Sequence, residues 1–165
     1  MSSHHRIIDS PLGELTLVGD DETLTGIYFP DHWTRPDRSA FGPPASSAFA
    51  DAERQLTEYF TGERTTFELE TSAAGNRFQH EVWKLISAIP YGETSTYGEL
   101  AAALHPAAHP RVVGAAVGHN PLSLVVPCHR VLGKTGKLTG YAGGLERKQF
   151  LLELEGVAPP QLQLI

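Results

Sequence analysis

The chain contains one cysteine, Cys128, in Pro127-Cys128-His129-Arg130-Val131 at the end of the apolar run Leu122 to Val126. A lone thiol can form neither an internal disulfide nor a multi-cysteine zinc site. It is therefore either a small buried filler or a nucleophile. The thiolate is the reactive form, and a neighbouring histidine is a base able to generate it. Adjacency does not by itself join the two side chains, because neighbours in an extended segment point to opposite sides. Glu155 is a candidate for the carboxylate that would orient His129, although a glutamate near a helix end is ordinarily a solvated charge. Tyr97 reads as a half-buried aromatic in the first turn of a helix, with its phenol as a polar handle.

A second group of residues has little side chain at all. Arg111-Val112-Val113-Gly114-Ala115-Ala116-Val117-Gly118-His119 opens with one base, and Gly114, Ala115, Ala116 and Gly118 leave most of its surface bare. Such a helix is thinned either for close packing on a neighbour or for entry into the DNA minor groove, about 6 Å wide. Long polar side chains, which read base edges in the major groove, are missing from it. Any DNA binding through this helix would rest on backbone contacts and on deformation of the duplex.

The elements that must position these residues follow from pattern and punctuation. Ile7 and Ile8, the run Leu15 to Gly19, and Leu24 to Phe29 read as three strands separated by turns at 9–13 and 20–22, an antiparallel meander. Residues 34–47 are loop by composition, with Pro36, Gly42, Pro43 and Pro44. Ala48, Phe49, Ala52, Leu56, Tyr59 and Phe60 fall at helical spacing before Gly62. Thr66 to Glu70 is a candidate return to the sheet, and Thr71 to Gly75 a linker. Beyond it, Phe78, Val82, Leu85, Ile86 and Ile89 form one apolar stripe stopped by Pro90. Thr96 with Glu99 is a capping-box pattern for a helix over 97–104. Pro110 opens another helix, through Gly118, and the pair is a helix-turn-helix candidate. A loop containing Gly133 and Gly136 leads to a last helix over 145–155.

With 165 residues the chain can hold one ordinary domain or two small ones. Its net charge is −6, unevenly spread. Residues 1–75 carry 5 Arg, no Lys and 13 Asp or Glu, whereas residues 76–165 carry 8 basic and 6 acidic groups. This predicts two domains, 1–75 and 76–165, of which the second is the one suited to a polyanion. Its slight excess of positive charge implies few phosphate contacts and a shallow salt dependence. No apolar run approaches the ~20 residues of a membrane span. The start of the chain lacks the apolar core of a secretion signal, so a reducing cytosol is the expected compartment. No metal-ligand spacing is present.

Taken together, several ordered motifs resemble the O6-alkylguanine-DNA alkyltransferase family, chiefly its single-module bacterial form. They are Ile89-Pro90-Tyr91-Gly92-Glu93-Thr94, Tyr97-Gly98-Glu99-Leu100, Gly118-His119-Asn120-Pro121, the Cys128 pentapeptide, Gly140-Tyr141-Ala142-Gly143-Gly144-Leu145 and Leu151-Leu152-Glu153-Leu154-Glu155-Gly156. The resemblance covers nearly all of residues 76–165 and is looser before them. It implies an α+β chain: a ribonuclease H-like antiparallel-sheet domain with a helix, then a mainly helical, winged-helix-like domain carrying the helix-turn-helix. It also implies direct reversal of damage in double-stranded DNA containing O6-alkylguanine, with the modified base flipped out of the stack and its alkyl group moved irreversibly to the protein.

By the same resemblance, Cys128 is the alkyl acceptor, His129 its base through a water molecule, Glu155 the carboxylate orienting that base, and Tyr97 the proton donor to guanine. Arg111 takes the extruded base's place. Asn120 is the hinge between recognition helix and cysteine segment. Val131 and Ala142 read the base edge through backbone groups, Tyr141 walls the pocket, and Gly114, Ala115 and Gly118 belong to the DNA face. No cofactor and no metal are implied, since the N-terminal cysteines that bind zinc in some relatives are missing here. A monomer is implied; cooperative assembly along DNA and repair of O4-alkylthymine are left open. Ala142 stands where some relatives have serine, and His119 where others carry arginine. Two other classes compete with this reading: a lesion-binding protein, which the presence of Cys128 opposes, and a Cys–His hydrolase working through a thioester.

Overall fold

The computed structural model describes residues 3–31, 36–134 and 141–157. Its contacts divide into two units, Met1–Ala74 with Pro121–Val125, and Gly75–Asn120 with Val126–Ile165.

In the first unit β1 (Ser3–Ile8), β2 (Leu15–Asp20) and β3 (Thr23–Tyr28) form an antiparallel sheet in that order. Ser10 builds the first turn: its hydroxyl oxygen accepts from Leu12 N–H at 3.1 Å, and its carbonyl accepts from Gly13 N–H at 3.1 Å. The second strand pair shifts register between Val18 and Gly19. A Cβ on Gly19 would stand 2.1 Å from the carbonyl oxygen of Thr23, so only glycine allows that approach. Alternation delivers Leu15 and Leu17 to the interior, and the register shift brings Leu24 and Ile27, of opposite parity, to the same side, where Leu56 and Tyr59 of α1 (Ala50–Phe60) are also buried.

Thr66 to Glu70 does not return to the sheet as a strand. It contributes instead to a single bridge beside it: Leu24 N–H donates to Glu70 O at 3.0 Å and Ser72 N–H to Leu24 O at 2.8 Å. The Gln55 side chain holds the Glu68 backbone in both directions, at 3.1 and 2.8 Å, which satisfies that segment without a ladder. Residues 121–125 join this unit, with Ile27 N–H donating to Pro121 O at 2.8 Å.

The second unit is mainly helical, giving the α+β class the sequence implies. Its helices are α2 (Arg77–Ser87), α3 (Tyr97–Ala103), α4 (Pro110–Gly118) and α5 (Leu145–Leu154). Asn76 and Gln79 form a reciprocal capping box on α2 that the apolar stripe alone did not signal. Thr96 caps α3, accepting from Glu99 N–H at 3.0 Å. His109 caps α4 through Nδ1, which accepts from Arg111 N–H at 3.1 Å. The indole of Trp83 in α2 donates to Ala116 O of α4 at 2.8 Å. Two-residue strands β4 (Ser95–Thr96) and β5 (Val131–Leu132) pair in parallel, placing the start of α3 beside the segment after Cys128. The expected Gly133/Gly136 loop runs into residues outside those described, as does part of the loop expected over 34–47. Among the described residues no helix is long and apolar enough to cross a membrane.

Candidate active site

Cys128 opens a 3-10 turn, Cys128–Arg130, rather than lying in an extended strand. Its side chain is buried, and its Sγ accepts a hydrogen bond from Asn120 Nδ2 at 3.3 Å. The same amide donates to Val126 O at 2.9 Å. Asn120, the hinge that the resemblance implies, sits inside on the thiol, where it joins the end of α4 to the cysteine segment. Burial pushes the Cys128 thiol up from its ordinary pKa. Opposing that are the Asn120 hydrogen bond, the positive charge of Lys148, and a hydrogen bond with Tyr141.

The turn also buries His129 completely. Its Nε2 meets Glu155 Oε2 at 2.8 Å. A carboxylate only accepts, so Nε2 carries the proton and Nδ1 keeps the lone pair. Nδ1 is buried with no hydrogen-bond partner among the described residues. Burial lowers the imidazole pKa, against the raising effect of the Glu155 hydrogen bond and charge. The ring is neutral near pH 7, the form that can take a proton.

Glu155 is the C-cap residue of α5, yet it is only 5 % exposed. Arg130 explains how a carboxylate survives there. Its Nε donates to Glu155 Oε1 at 2.7 Å and its Nη2 to Oε2 at 3.0 Å, a two-pronged pairing. Arg130 Nη1 donates to Ile89 O at 2.7 Å, and its guanidinium lies 5.7 Å from the centroid of the Tyr91 ring. Sequence reasoning gave Arg130 no role, because a buried partner for an arginine leaves no local signal.

Lys148 was missed as well. It is fully buried in α5, and its Nζ donates to the carbonyl of Val131 at 2.6 Å. The same ammonium lies 6.0 Å from the centroid of the Tyr97 ring. Val131, Tyr141 and Ala142 are all buried. Tyr97, half-buried at the start of α3, flanks Gly114, whose position would bring a Cβ 3.8 Å from the Tyr97 ring.

Outside this cluster an open pocket of about 610 Å³ is lined by Thr96, Tyr97, Gly98, Pro110, Arg111, Gly114 and Lys134. Arg111, Val112 and Ala115 are exposed along α4, and Gly114 and Gly118 are half-buried. His119 folds back onto its own helix, with Nδ1 2.8 Å from Ala115 O.

A buried Cys–Asn contact, a His–Glu–Arg chain and a slim exposed helix are gathered in one helical unit, and comparison with known proteins places that unit in a class of cysteine-bearing DNA-binding proteins. Residues 77–157 match the family described as 6-O-methylguanine DNA methyltransferase, DNA binding domain. Residues 4–73 match the ribonuclease-like domain of the same family. The chain is 48 % identical over 162 residues to the methylated-DNA–protein-cysteine methyltransferase of Mycobacterium tuberculosis, covering 98 % of both. It is 42 % identical to that of Methanosarcina acetivorans, covering 93 % of this chain and 98 % of the relative. Among solved structures it is similar to Mycobacterium tuberculosis OGT in complex with DNA, with a TM-score of 0.87 and 48 % identity over 92 % of both chains. The chain belongs to the methylated-DNA–protein-cysteine methyltransferase family.

Proposed function

We propose that this protein repairs O6-alkylguanine in double-stranded DNA by moving the alkyl group onto Cys128, once per molecule. The observation that carries this reading is the buried thiol, hydrogen-bonded by Asn120 and adjoining a neutral His129 that Glu155 holds through Nε2. Arg111 enters the space left by the flipped base. The base then enters beside Tyr97, with the Val131 and Ala142 backbones reading its edge and Tyr141 forming a wall. Gly114, Ala115 and Gly118 let α4 approach the minor groove.

In the chemical step the Cys128 proton passes, through water, to the free lone pair of His129 Nδ1, and Glu155 stabilises the resulting imidazolium. The thiolate attacks the alkyl carbon; the S–C bond forms as the C–O6 bond breaks. The Tyr97 phenol protonates guanine as negative charge builds on it, and the phenolate recovers a proton from solvent. The product is a thioether. Water does not readily displace a thiolate from an unactivated alkyl carbon, so no route regenerates the thiol. These steps use protein groups and water. The protein acts as a monomer in the cytosol, a reducing compartment that suits a free thiol.

The test is incubation with duplex DNA containing O6-methylguanine. One methyl mass increment on Cys128, never exceeding one per molecule, is expected, and Cys128→Ser should give none. Repair continuing after every Cys128 is consumed would sink the reading.

A further inference from the structure

A lysine buried in the interior is costly unless something uses its charge. Lys148 lies one turn into α5, where the positive end of the helix dipole gives an ammonium no help. A methionine or leucine would fill the same space without desolvating a charge, so packing does not account for it. Its surroundings do. Nζ holds the Val131 carbonyl at 2.6 Å, faces the Tyr97 ring at 6.0 Å, and interacts electrostatically with Cys128.

We propose that Lys148 is a positioning residue for alkyl transfer, whose buried ammonium fixes the Val131 carbonyl and favours negative charge on the Cys128 sulfur and the Tyr97 phenol. This rests on the reading of Cys128 as acceptor. Both groups become anionic during the transfer proposed above, the sulfur before it attacks and the phenol after it gives its proton to guanine. A single fixed, buried cation that acts on both groups offsets each charge with little reorganisation. Lys148 takes no proton itself and stays out of the bond-making step.

Electrostatic linkage gives the sign. Desolvation pulls Lys148 down from 10.5 to about 8, and Cys128 is the group that pulls it back up. The interaction is mutual: the Lys148 charge lowers the thiol pKa against the raising effect of burial. Among the titratable groups interacting with Lys148 are Cys128 and His129 from the 3-10 turn and Tyr97 from α3; its charge also lowers the His129 pKa. Removing the ammonium should therefore move thiolate formation to higher pH.

The experiment measures the rate of Cys128 carbamidomethylation by iodoacetamide against pH, on the intact protein and on three variants, each checked for folding by thermal melting. Lys148→Met removes charge and donor, Lys148→Gln keeps a donor without charge, and Lys148→Arg keeps the charge. The midpoint is expected to rise by about one pH unit in the Met and Gln variants, equivalent to a tenfold loss of thiolate below it. It should stay within about half a unit in the Arg variant. Methyl transfer from duplex DNA should fall at least about tenfold in the Met and Gln variants at neutral pH. Unchanged midpoints and rates in whichever neutral variants fold would overturn the proposal, and so would a shift in Lys148→Arg as large as in Lys148→Gln. If the unaltered protein forms no methyl adduct on Cys128, the acceptor reading fails, while the iodoacetamide midpoints still decide whether Lys148 tunes the thiol.

Discussion

Inside the second unit, His129, Arg130, Lys148 and Glu155 are all between 0 and 7 % exposed, and each is tied to a named partner. On α4 and its C-cap the exposed and half-buried positions carry one proline, one arginine, one valine, one histidine folded onto the helix, and small residues. The interior works by specific bonds made to buried charged and polar groups, out of bulk solvent. The outer helix works by having little to collide with. Damage to the first should be abrupt and local in cause; damage to the second should be graded and visible only when DNA is present.

The sharpest way to break that contrast is Arg130→Met. It takes the guanidinium from the buried Glu155 carboxylate, which keeps the His129 imidazole and a 3.5 Å hydrogen bond from the Gly92 N–H, and loss of one partner from a buried pair destabilises by about 3–5 kcal/mol. Urea unfolding should show that loss, while Ala115→Ser on α4 should stay within about 0.5 kcal/mol of the parent. Equal stabilities for the two variants would erase the distinction.

Arg111→Ala sharpens the comparison from the other side. On the proposed reading the exposed guanidinium supports extrusion of the base and no internal bond of the buried cluster. Transfer from duplex DNA is expected to fall about 10- to 100-fold, or roughly 1.4–2.8 kcal/mol. Transfer from free O6-benzylguanine, which needs no extrusion, should be unchanged. An equal drop with both substrates would place Arg111 in the chemistry.

The smallest expected effect is ionic. Among the described residues few cations flank α4, so the log–log dependence of DNA affinity on salt should have a slope of only about −2 to −3, corresponding to two or three phosphate contacts. Measured by fluorescence anisotropy, a slope steeper than about −6 would mean that a basic surface elsewhere dominates.

Much of this was legible from local chemistry. Pro110 and Asn120-Pro121 delimit a helix whose observed span is Pro110–Gly118, and alternation marked the three strands. Glu155 needed resemblance, because a carboxylate at a helix end looks solvated until Arg130 is seen wrapped around it. Lys148 escaped for the same reason: burial of a charge is decided by contacts far along the chain. The β4–β5 pair is too short for any alternation to show. Thr66 to Glu70 has strand-like composition, but its backbone is bonded by Gln55 before a ladder can form.

The five residues between Asn120 and Val126 bear on how the chain can be divided. Leu122, Ser123 and Leu124 are buried at 2 %, 0 % and 1 % exposure, and the segment clusters with the acidic first unit. Excising everything before residue 75 would strip those positions of the strand that meets them and leave greasy surface just upstream of the reactive thiol. The half of the molecule without reactive groups is thus no detachable leader: the tether to the nucleophile is threaded through it.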